Sequence, residues 1–244
     1  MANSKIEGIK AVFFDAGHTL IYTYPSVGVV YSRELKRFGA DVDPQLLEKS
    51  FLDVFRDFTN RFSKEADSRI GSDEHDRRMW REITTIVYND IPAMQTVDFD
   101  KWFEAVYDAF GRADAWRFYD DVIDTLTKLR NRGLCLGIIS NWDSRLKNIV
   151  RGLGLDKLVD FVLISAEVGV RKPDPSIFER ALKLSKVIAD QAIHIGDLYE
   201  EDVLGAQSVG IKGILIDRRN MYKEPKGDGV LVIKDLREFA NLLA

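Results

Sequence analysis

Short apolar runs alternate along the chain with longer segments whose apolar positions recur at helical spacing. Six runs are rich in aliphatic and β-branched residues, at 9–14, 134–139, 161–164, 192–195, 213–216 and 230–233. Runs of this length with few polar positions are typical of parallel strands that are buried on both faces. Helices with one charged face are predicted between most of them, for example at 120–132, 144–153, 176–184 and 202–209. The alternation favours an α/β fold with a doubly wound, mainly parallel sheet.

Residues 23–115 follow a different pattern. Their aromatic and aliphatic residues recur at helical spacing, and each set favours the core of an amphipathic helix over a cofactor site; the sets include Phe51, Phe55 and Phe58, then Trp80, Ile83 and Val87, then Trp102, Val106 and Phe110. We therefore expect an all-helical inserted domain at 23–115, with an α/β domain formed by 1–22 and 116–244. The segments 22–29 and 111–119 are candidate hinges between the two.

Charge and cysteine content exclude several classes of function. The chain has 244 residues, with 35 Lys and Arg against 39 Asp and Glu, which gives a net charge of −4. This balance argues against a nucleic-acid partner. The single cysteine, Cys135, allows no internal disulfide and is expected to pack inside a strand. Because no apolar run reaches the roughly 20 residues of a membrane span and no apolar leader is visible, we expect a cytoplasmic protein without a membrane partner.

Polar residues stand where three of the predicted strands end. Asp15 follows the first strand in AVFFDAGHTL, residues 11–20, Ser140 and Asn141 end the second, and Asp197 follows Gly196. The carboxyl ends of parallel strands meet at one edge of a sheet, where open α/β folds bind ligands. Taken alone, Asp15 is equally well explained as a turn carboxylate that caps its own backbone.

Two further segments add charged groups. In RKPDP, residues 171–175, Lys172 precedes a helix that Asp174 would cap and Pro175 would begin. In LYEED, residues 198–202, Asp202 could cap a helix, orient a neighbouring group, or do both. Glu200 and Glu201 are expected to be solvated.

In this order, each at a strand end, these segments resemble the four motifs of the haloacid dehalogenase (HAD) superfamily of hydrolases. The resemblance covers the first twenty or so residues and about 116–240, and matches the intervening segment by position only. It implies a Rossmann-like core, and it implies that the helical insertion is a cap domain that covers the active site and selects the substrate.

The resemblance also implies roles for the acidic residues. Asp15 would be the nucleophile and form an aspartyl-phosphate. Asp15, Asp197 and the backbone carbonyl of Gly17 would hold Mg2+, a hard ion that prefers such oxygens. Asp202 would complete the metal site by orienting bound water or Lys172.

The remaining motif residues would bind the phosphoryl group. Lys172 would place a cation against it and reduce its repulsion by the nucleophile. The Ser140 hydroxyl and the N–H of Asn141 would donate to phosphoryl oxygens, as would the turn at Ala16 and Gly17.

The chain departs from the family pattern at Gly17, where phosphatases of the family usually place a second aspartate that acts as general acid and base. This resembles a sub-branch that lacks this aspartate and whose substrates are largely unassigned. Loss of such a group commonly lowers the rate by about 10²- to 10⁴-fold. His18 is a possible substitute, since imidazole titrates near neutrality. His194 lies in a predicted strand, where a core role is favoured.

Three functions remain open. The leading interpretation is a Mg2+-dependent phosphatase that acts on a small phosphate monoester, because Asp197 and Asp202 imply a metal. A 2-haloacid dehalogenase would use Asp15 without metal; Gly17 is compatible with it, whereas Phe178 and the segment His194 to Gly196 differ from that branch. The third is a weakly active ligand-binding or regulatory protein. The sequence identifies neither the substrate nor the oligomeric state.

Overall fold

The central element is a six-stranded sheet in the order β5-β4-β1-β6-β7-β8, in which all neighbouring strands are parallel. The computed structural model describes residues 6–62, 69–222 and 229–243. The strands are β1 (Ala11–Phe14), β2 (Ile21–Thr23), β3 (Trp116–Phe118), β4 (Cys135–Ser140), β5 (Phe161–Ile164), β6 (Ala192–Gly196), β7 (Lys212–Ile216) and β8 (Leu231–Ile233). The doubly wound α/β fold predicted from the sequence is confirmed.

Ten α-helices accompany the strands within the described residues. They are α1 (Val27–Arg37), α2 (Pro44–Phe62), α3 (Asp73–Asp90), α4 (Phe99–Phe110), α5 (Val122–Asn131), α6 (Leu146–Gly152), α7 (Ser165–Val168), α8 (Pro175–Ser185), α9 (Gly205–Gln207) and α10 (Leu236–Leu242). None of the helices in the described part of the chain has the length and apolarity needed to cross a membrane. Asp174 caps α8 as predicted, since its side chain accepts a hydrogen bond from the Ser176 N–H.

The chain order reverses on either side of β1, which places a ligand crevice at the carboxyl end of this strand. Phe14 of β1 lies beside Ile138 of β4 and Ile195 of β6. The residues that follow these three positions therefore emerge side by side at one edge of the sheet.

Successive residues of β1 point to opposite faces of the sheet, as the pleat requires. Val12 and Phe14 belong to the larger core cluster, which also includes residues of α5, α6 and α10. Ala11 and Phe13 face the second cluster, which is formed with α8. Burial on both faces explains why the strands read as continuous apolar runs.

A second, two-stranded antiparallel sheet is formed by β2 and β3. It was missing from the sequence prediction. Helices α1 to α4 lie between its two strands in the chain and have a hydrophobic cluster of their own, which includes Tyr31, Leu47, Ile83 and Trp102. Since β2 ends at Thr23 and β3 begins at Trp116, these helices occupy the segment predicted as an insertion.

The helix predicted at 202–209 is present, but it begins three residues earlier and is not a regular α-helix throughout. The chain instead forms a π-helical turn, Tyr199–Leu204, that leads into α9. Turns of this type are rare and occur mostly at functional sites. Here the turn carries Asp202 at its inner side.

Gly137 should be essential for the packing of β4 against β5, because a Cβ at this position would lie 2.3 Å from the Phe161 ring. We expect Gly137→Ala to lower the free energy of unfolding by about 1–3 kcal/mol through overpacking. Urea denaturation of the single variants and of Gly137→Ala/Phe161→Leu measures the effect. The double variant should lose less stability than the sum of the two, and strict additivity would contradict this account.

Candidate active site

Asp15 is held at the end of β1 by backbone and side-chain contacts. Its N–H donates to the Ile195 carbonyl at 2.9 Å. Its Oδ1 accepts hydrogen bonds from Ser140 Oγ at 3.0 Å and from Lys172 Nζ at 2.8 Å. Burial raises the pKa of Asp15, and the Lys172 charge opposes that rise. Both contacts converge on one carboxylate oxygen.

Lys172 is buried and links two carboxylates. Its Nζ lies 2.8 Å from Asp15 Oδ1 and 2.5 Å from Asp202 Oδ1. Although burial alone would lower the pKa of Lys172, the two carboxylates raise it above its usual value. The side chain therefore carries a full charge at neutral pH.

Asn141 fixes the main chain of this lysine. Its Oδ1 accepts from the Lys172 N–H at 2.7 Å, and its Nδ2 donates to the Lys172 carbonyl at 2.9 Å. The Asn141 side chain thus positions Lys172, while the predicted phosphoryl contact of the Asn141 N–H stays a prediction.

Asp202 is surrounded by donors. Besides Lys172, its carboxylate contacts His194 Nε2 at 2.9 Å and accepts from the Leu198 N–H at 2.9 Å. Burial would raise the pKa of Asp202, but Lys172 and His194 together lower it. Gly196 makes room for this arrangement, because a Cβ there would lie 2.1 Å from the Asp202 carboxyl carbon.

Asp197 lies at the end of β6, next to Asp15. Its Oδ2 accepts from Arg219 Nη2 at 2.7 Å, and its carbonyl accepts from the Tyr222 hydroxyl at 3.0 Å. Burial raises the pKa of Asp197 well above its usual range, and the charges of Asp15 and Asp202 raise it further. This corner of the site carries more negative charge than its cations balance.

The donor set suits Mg2+ without forming a complete cage. Across 6–62, 69–222 and 229–243, no three His, Cys, Asp or Glu side chains are arranged to hold a metal ion. Mg2+, however, is usually bound by one or two carboxylates together with water and substrate phosphate. Asp15 and Asp197 supply two hard oxygen donors at neighbouring strand ends, and a cation would relieve the repulsion that raises the pKa of Asp197.

The turn after Asp15 holds two unusual residues. Gly17 stands beside the Trp142 indole, and His18 adopts a left-handed backbone conformation with φ of 55°. Burial, with the Arg219 charge, lowers the pKa of His18 to about 4. At neutral pH this imidazole is uncharged, which makes it a proton acceptor rather than a charged acid.

The expectation that Glu201 is solvated was wrong. Its Oε2 accepts from Asn141 Nδ2 at 2.7 Å, and burial raises its pKa to about 7. Glu200 is exposed, as expected. The π-helical turn explains the difference, since it turns Glu201 and Asp202 toward the sheet edge.

The inserted helices dock on the loop that precedes Lys172. Ile70 pairs with Val170 in an antiparallel bridge, and the Arg171 N–H donates to the Arg69 carbonyl at 3.0 Å. Beyond this bridge, the buried Arg171 side chain forms an ion pair with Asp76 of α3.

A second contact joins α3 to the loop after β4. Asp73 accepts from both the N–H and the hydroxyl of Ser144, at 2.7 and 2.8 Å. The insertion therefore contacts two of the loops that build the site.

Sequence reasoning placed Asp15, Ser140, Lys172, Asp197 and Asp202 at one sheet edge, and the structure brings them together. It missed the contacts of His194, Arg219 and Trp142. His194 was interpreted as a core residue; it is fully buried, but its Nε2 holds Asp202, and its Nδ1 has no hydrogen-bond partner among the described residues. A histidine two residues before Gly196-Asp197 could have indicated this contact, because it points to the same face as Gly196.

The chain is similar to known hydrolases over most of its length. A model of the haloacid dehalogenase-like hydrolases matches residues 9–210. Human haloacid dehalogenase-like hydrolase domain-containing protein 3 is 31% identical over 208 residues, which are 85% of this chain and 82% of that protein.

Two further similar proteins are named for two different activities. Phosphoserine phosphatase of Thermus thermophilus is 36% identical over 122 residues, 49% of each chain. A 2-haloacid dehalogenase structure from Pseudomonas syringae has a TM-score of 0.59 and 26% identity, and the match covers 96% of this chain and 97% of that one.

His18 should make the protein less stable in mild acid. Because its pKa is lowered to about 4, the unfolded chain takes up a proton near pH 6.5 that the folded chain does not. Stability is thus full above pH 6.5 and lost as the pH falls toward 4, by up to about 3 kcal/mol. His18→Asn keeps a residue type that tolerates left-handed φ and removes the titration. Urea unfolding between pH 7.5 and 4.5 should show a smaller loss for the variant; parallel curves would refute this assignment.

Proposed function

Because the chain belongs to the haloacid dehalogenase-like hydrolases, we propose that it is a Mg2+-dependent phosphatase with Asp15 as its nucleophile. Its substrate would be a small phosphate monoester. A cytoplasmic location is part of the proposal and rests on the sequence alone.

One observation carries this proposal: a second carboxylate, Asp197, is buried beside Asp15 at the end of the neighbouring strand. The two acids and Asp202 give the site an excess of negative charge; burial raises the pKa of Asp197, and the charges of Asp15 and Asp202 raise it further. Such a site is costly unless a cation lies between the carboxylates. Displacement of halide by Asp15 has no use for this second acid.

The contacts of Asp15 support its role as nucleophile. Lys172 and Ser140 both hold Oδ1, which fixes the carboxylate plane and leaves Oδ2 to attack. In the first step a bond forms between Asp15 and phosphorus while the bond to the leaving oxygen breaks. Water then hydrolyses the aspartyl-phosphate and releases phosphate.

The cations of the site would stabilise the charge that develops on the phosphoryl oxygens. Asn141 fixes the Lys172 backbone and Asp202 holds its ammonium, so the cation needs no rearrangement during the reaction. The Ser140 hydroxyl, which has one proton, would turn from Asp15 to donate to the same group when substrate binds. Mg2+, bound by Asp15, Asp197 and the Gly17 carbonyl, would supply further positive charge.

The helical insertion at 23–115 would act as a cap over this edge. Its contacts with the loops at 144 and 169–171 support that role, because they bring α3 to the rim of the site. Residues on this side would exclude water and select the leaving group.

A 2-haloacid dehalogenase is the second candidate, favoured by the absence of a side chain at Gly17. Against it, Phe178 has no hydroxyl and packs edge-on against the His194 ring, with centroids 5.2 Å apart. A halide-release assay on 2-haloacids, run beside phosphate release, separates the two.

Asp15→Asn should abolish turnover and leave the fold intact, since the amide is nearly isosteric and cannot attack phosphorus. We expect phosphate release from a panel of phosphorylated metabolites to fall by about 10³-fold or more. Asp156→Asn, at an exposed acid of the same domain, is the matched control. If the variant retained its rate in a rigorously purified sample, Asp15 would not be the nucleophile.

Asp197→Asn should remove Mg2+ binding, because it deletes one of two carboxylate donors. Isothermal titration with MgCl2 measures this without reference to activity. Glu200→Gln changes an exposed acid three residues away and should bind as the unmodified protein does. Equal Mg2+ affinity in both variants would place the ion elsewhere.

A further inference from the structure

Trp142 covers the space that a side chain at position 17 would occupy. A Cβ on Gly17 would lie 3.3 Å from Trp142 Cζ3 and 4.0 Å from Cη2. The φ of Gly17 is outside the left-handed range, so backbone conformation does not require glycine here. Gly17 lies two residues along the chain from the nucleophile Asp15. A Cβ on Gly17 would adjoin the six-membered ring of the Trp142 indole.

Trp142 is held through its backbone and through its ring. Its backbone N–H donates to Ser165 Oγ at 3.0 Å, and its backbone carbonyl accepts from the same hydroxyl at 3.1 Å. Its ring packs edge-on against Trp116 of β3, with centroids 4.9 Å apart. Trp142 is half-buried, whereas Trp116 is buried. The exposed part of Trp142 is therefore a rigid apolar surface.

The charged groups near Asp15 form ion pairs and hydrogen bonds with one another. Lys172 is shared by Asp15 and Asp202, and Asp202 is also bonded to His194. Asp197 is paired with Arg219, at the end of the adjacent strand. On the Gly17 side, apart from the two chain neighbours of this glycine, the described atoms nearest to the position of a Cβ belong to the Trp142 ring, which carries no acidic proton.

In-line displacement places the leaving oxygen opposite the attacking one. Because Asp15 would attack from the end of β1, the leaving group would lie away from the sheet, on the side where the turn at Gly17 and the Trp142 ring adjoin. No carboxyl or ammonium group of the contacts above is directed to that position. A leaving oxygen there departs as an anion and takes its proton from water.

We propose that the site is specific for phosphate esters of acidic aromatic alcohols, that is, aryl phosphates, with Trp142 as the residue that selects them. A phenolate leaves without a proton donor far more readily than an alkoxide does. Its flat ring would stack on the exposed indole face, as aromatic pairs do. In this step the Asp15 oxygen bonds to phosphorus and the electron pair of the broken P–O bond remains on the phenolate. The inference rests on the proposed phosphatase activity.

A series of phenyl phosphates with graded ring substituents, alkyl phosphates and acetyl phosphate tests the proposal. We expect log(kcat/KM) to fall steeply as the leaving group becomes more basic, with alkyl phosphates the poorest substrates. Acetyl phosphate, an acidic leaving group without a ring, should turn over with a higher KM than phenyl phosphates. Equal rates for alkyl and aryl esters would overturn the proposal.

Two variants separate the acidity of the leaving group from its stacking. Trp142→Leu should raise KM for phenyl phosphates by about 5-fold and leave KM for acetyl phosphate unchanged. Trp80→Leu, which changes a tryptophan that stacks on Phe55 within the insertion, is the matched control and should change neither. If Trp142→Leu shifts both substrates alike, Trp142 has a structural role only and the proposal fails.

Gly17→Asp would place a proton donor beside the Trp142 ring. It should raise kcat for alkyl phosphates by about 10- to 10²-fold and flatten the dependence on leaving-group basicity. Since the new Cβ crowds Trp142, Gly17→Asp/Trp142→Leu keeps the test valid if the single variant is unstable. Unchanged dependence in a folded variant would overturn the inference alone. Absence of phosphate release from every ester and also from acetyl phosphate would instead overturn the proposed phosphatase function.

Discussion

The buried ammonium of Lys172 is the group on which the rest of the site depends. It lies between Asp15 and Asp202, and removing this one cation would leave two buried carboxylates without compensation, a change that costs about 3–5 kcal/mol at a buried pair. The surrounding structure maintains this contact. Asn141 fixes the lysine backbone, His194 and the Leu198 N–H hold Asp202, and Gly196 has no side chain that would push Asp202 away.

The same loop joins the two parts of the chain. Residues 169–171, which directly precede Lys172, form a backbone bridge with the segment before α3, and Arg171 pairs with Asp76 in a buried position. The helices inserted between β2 and β3 are thus tied to the backbone that carries the central cation. Packing within the insertion and geometry at the sheet edge are thereby linked.

Sequence patterns predicted what local chemistry determines. Apolar runs marked the six strands of the sheet to within two residues, and the polar residue after each run marked the edge where Asp15, Ser140 and Asp197 meet. The two-stranded sheet of β2 and β3 was not predicted, because Ile21 pairs with Phe118, nearly a hundred residues away, and three-residue strands have no detectable period. The exposure of Glu201 was misjudged because a π-helical turn, stabilised by contacts distant in sequence, replaces the regular helix that the spacing predicts.

Gly17 shows how one residue can be interpreted from sequence in one way and from structure in another. In the sequence it is a missing aspartate, which suggests only a loss of rate. In the structure the adjacent volume contains the indole of Trp142, whose backbone is bonded to Ser165 and whose ring packs against Trp116. The carboxylates of the site are meanwhile bound to Lys172, His194 and Arg219. An apolar surface has therefore taken the place of a proton donor, and in such a site the acidity and shape of the leaving group become the properties that decide which ester reacts.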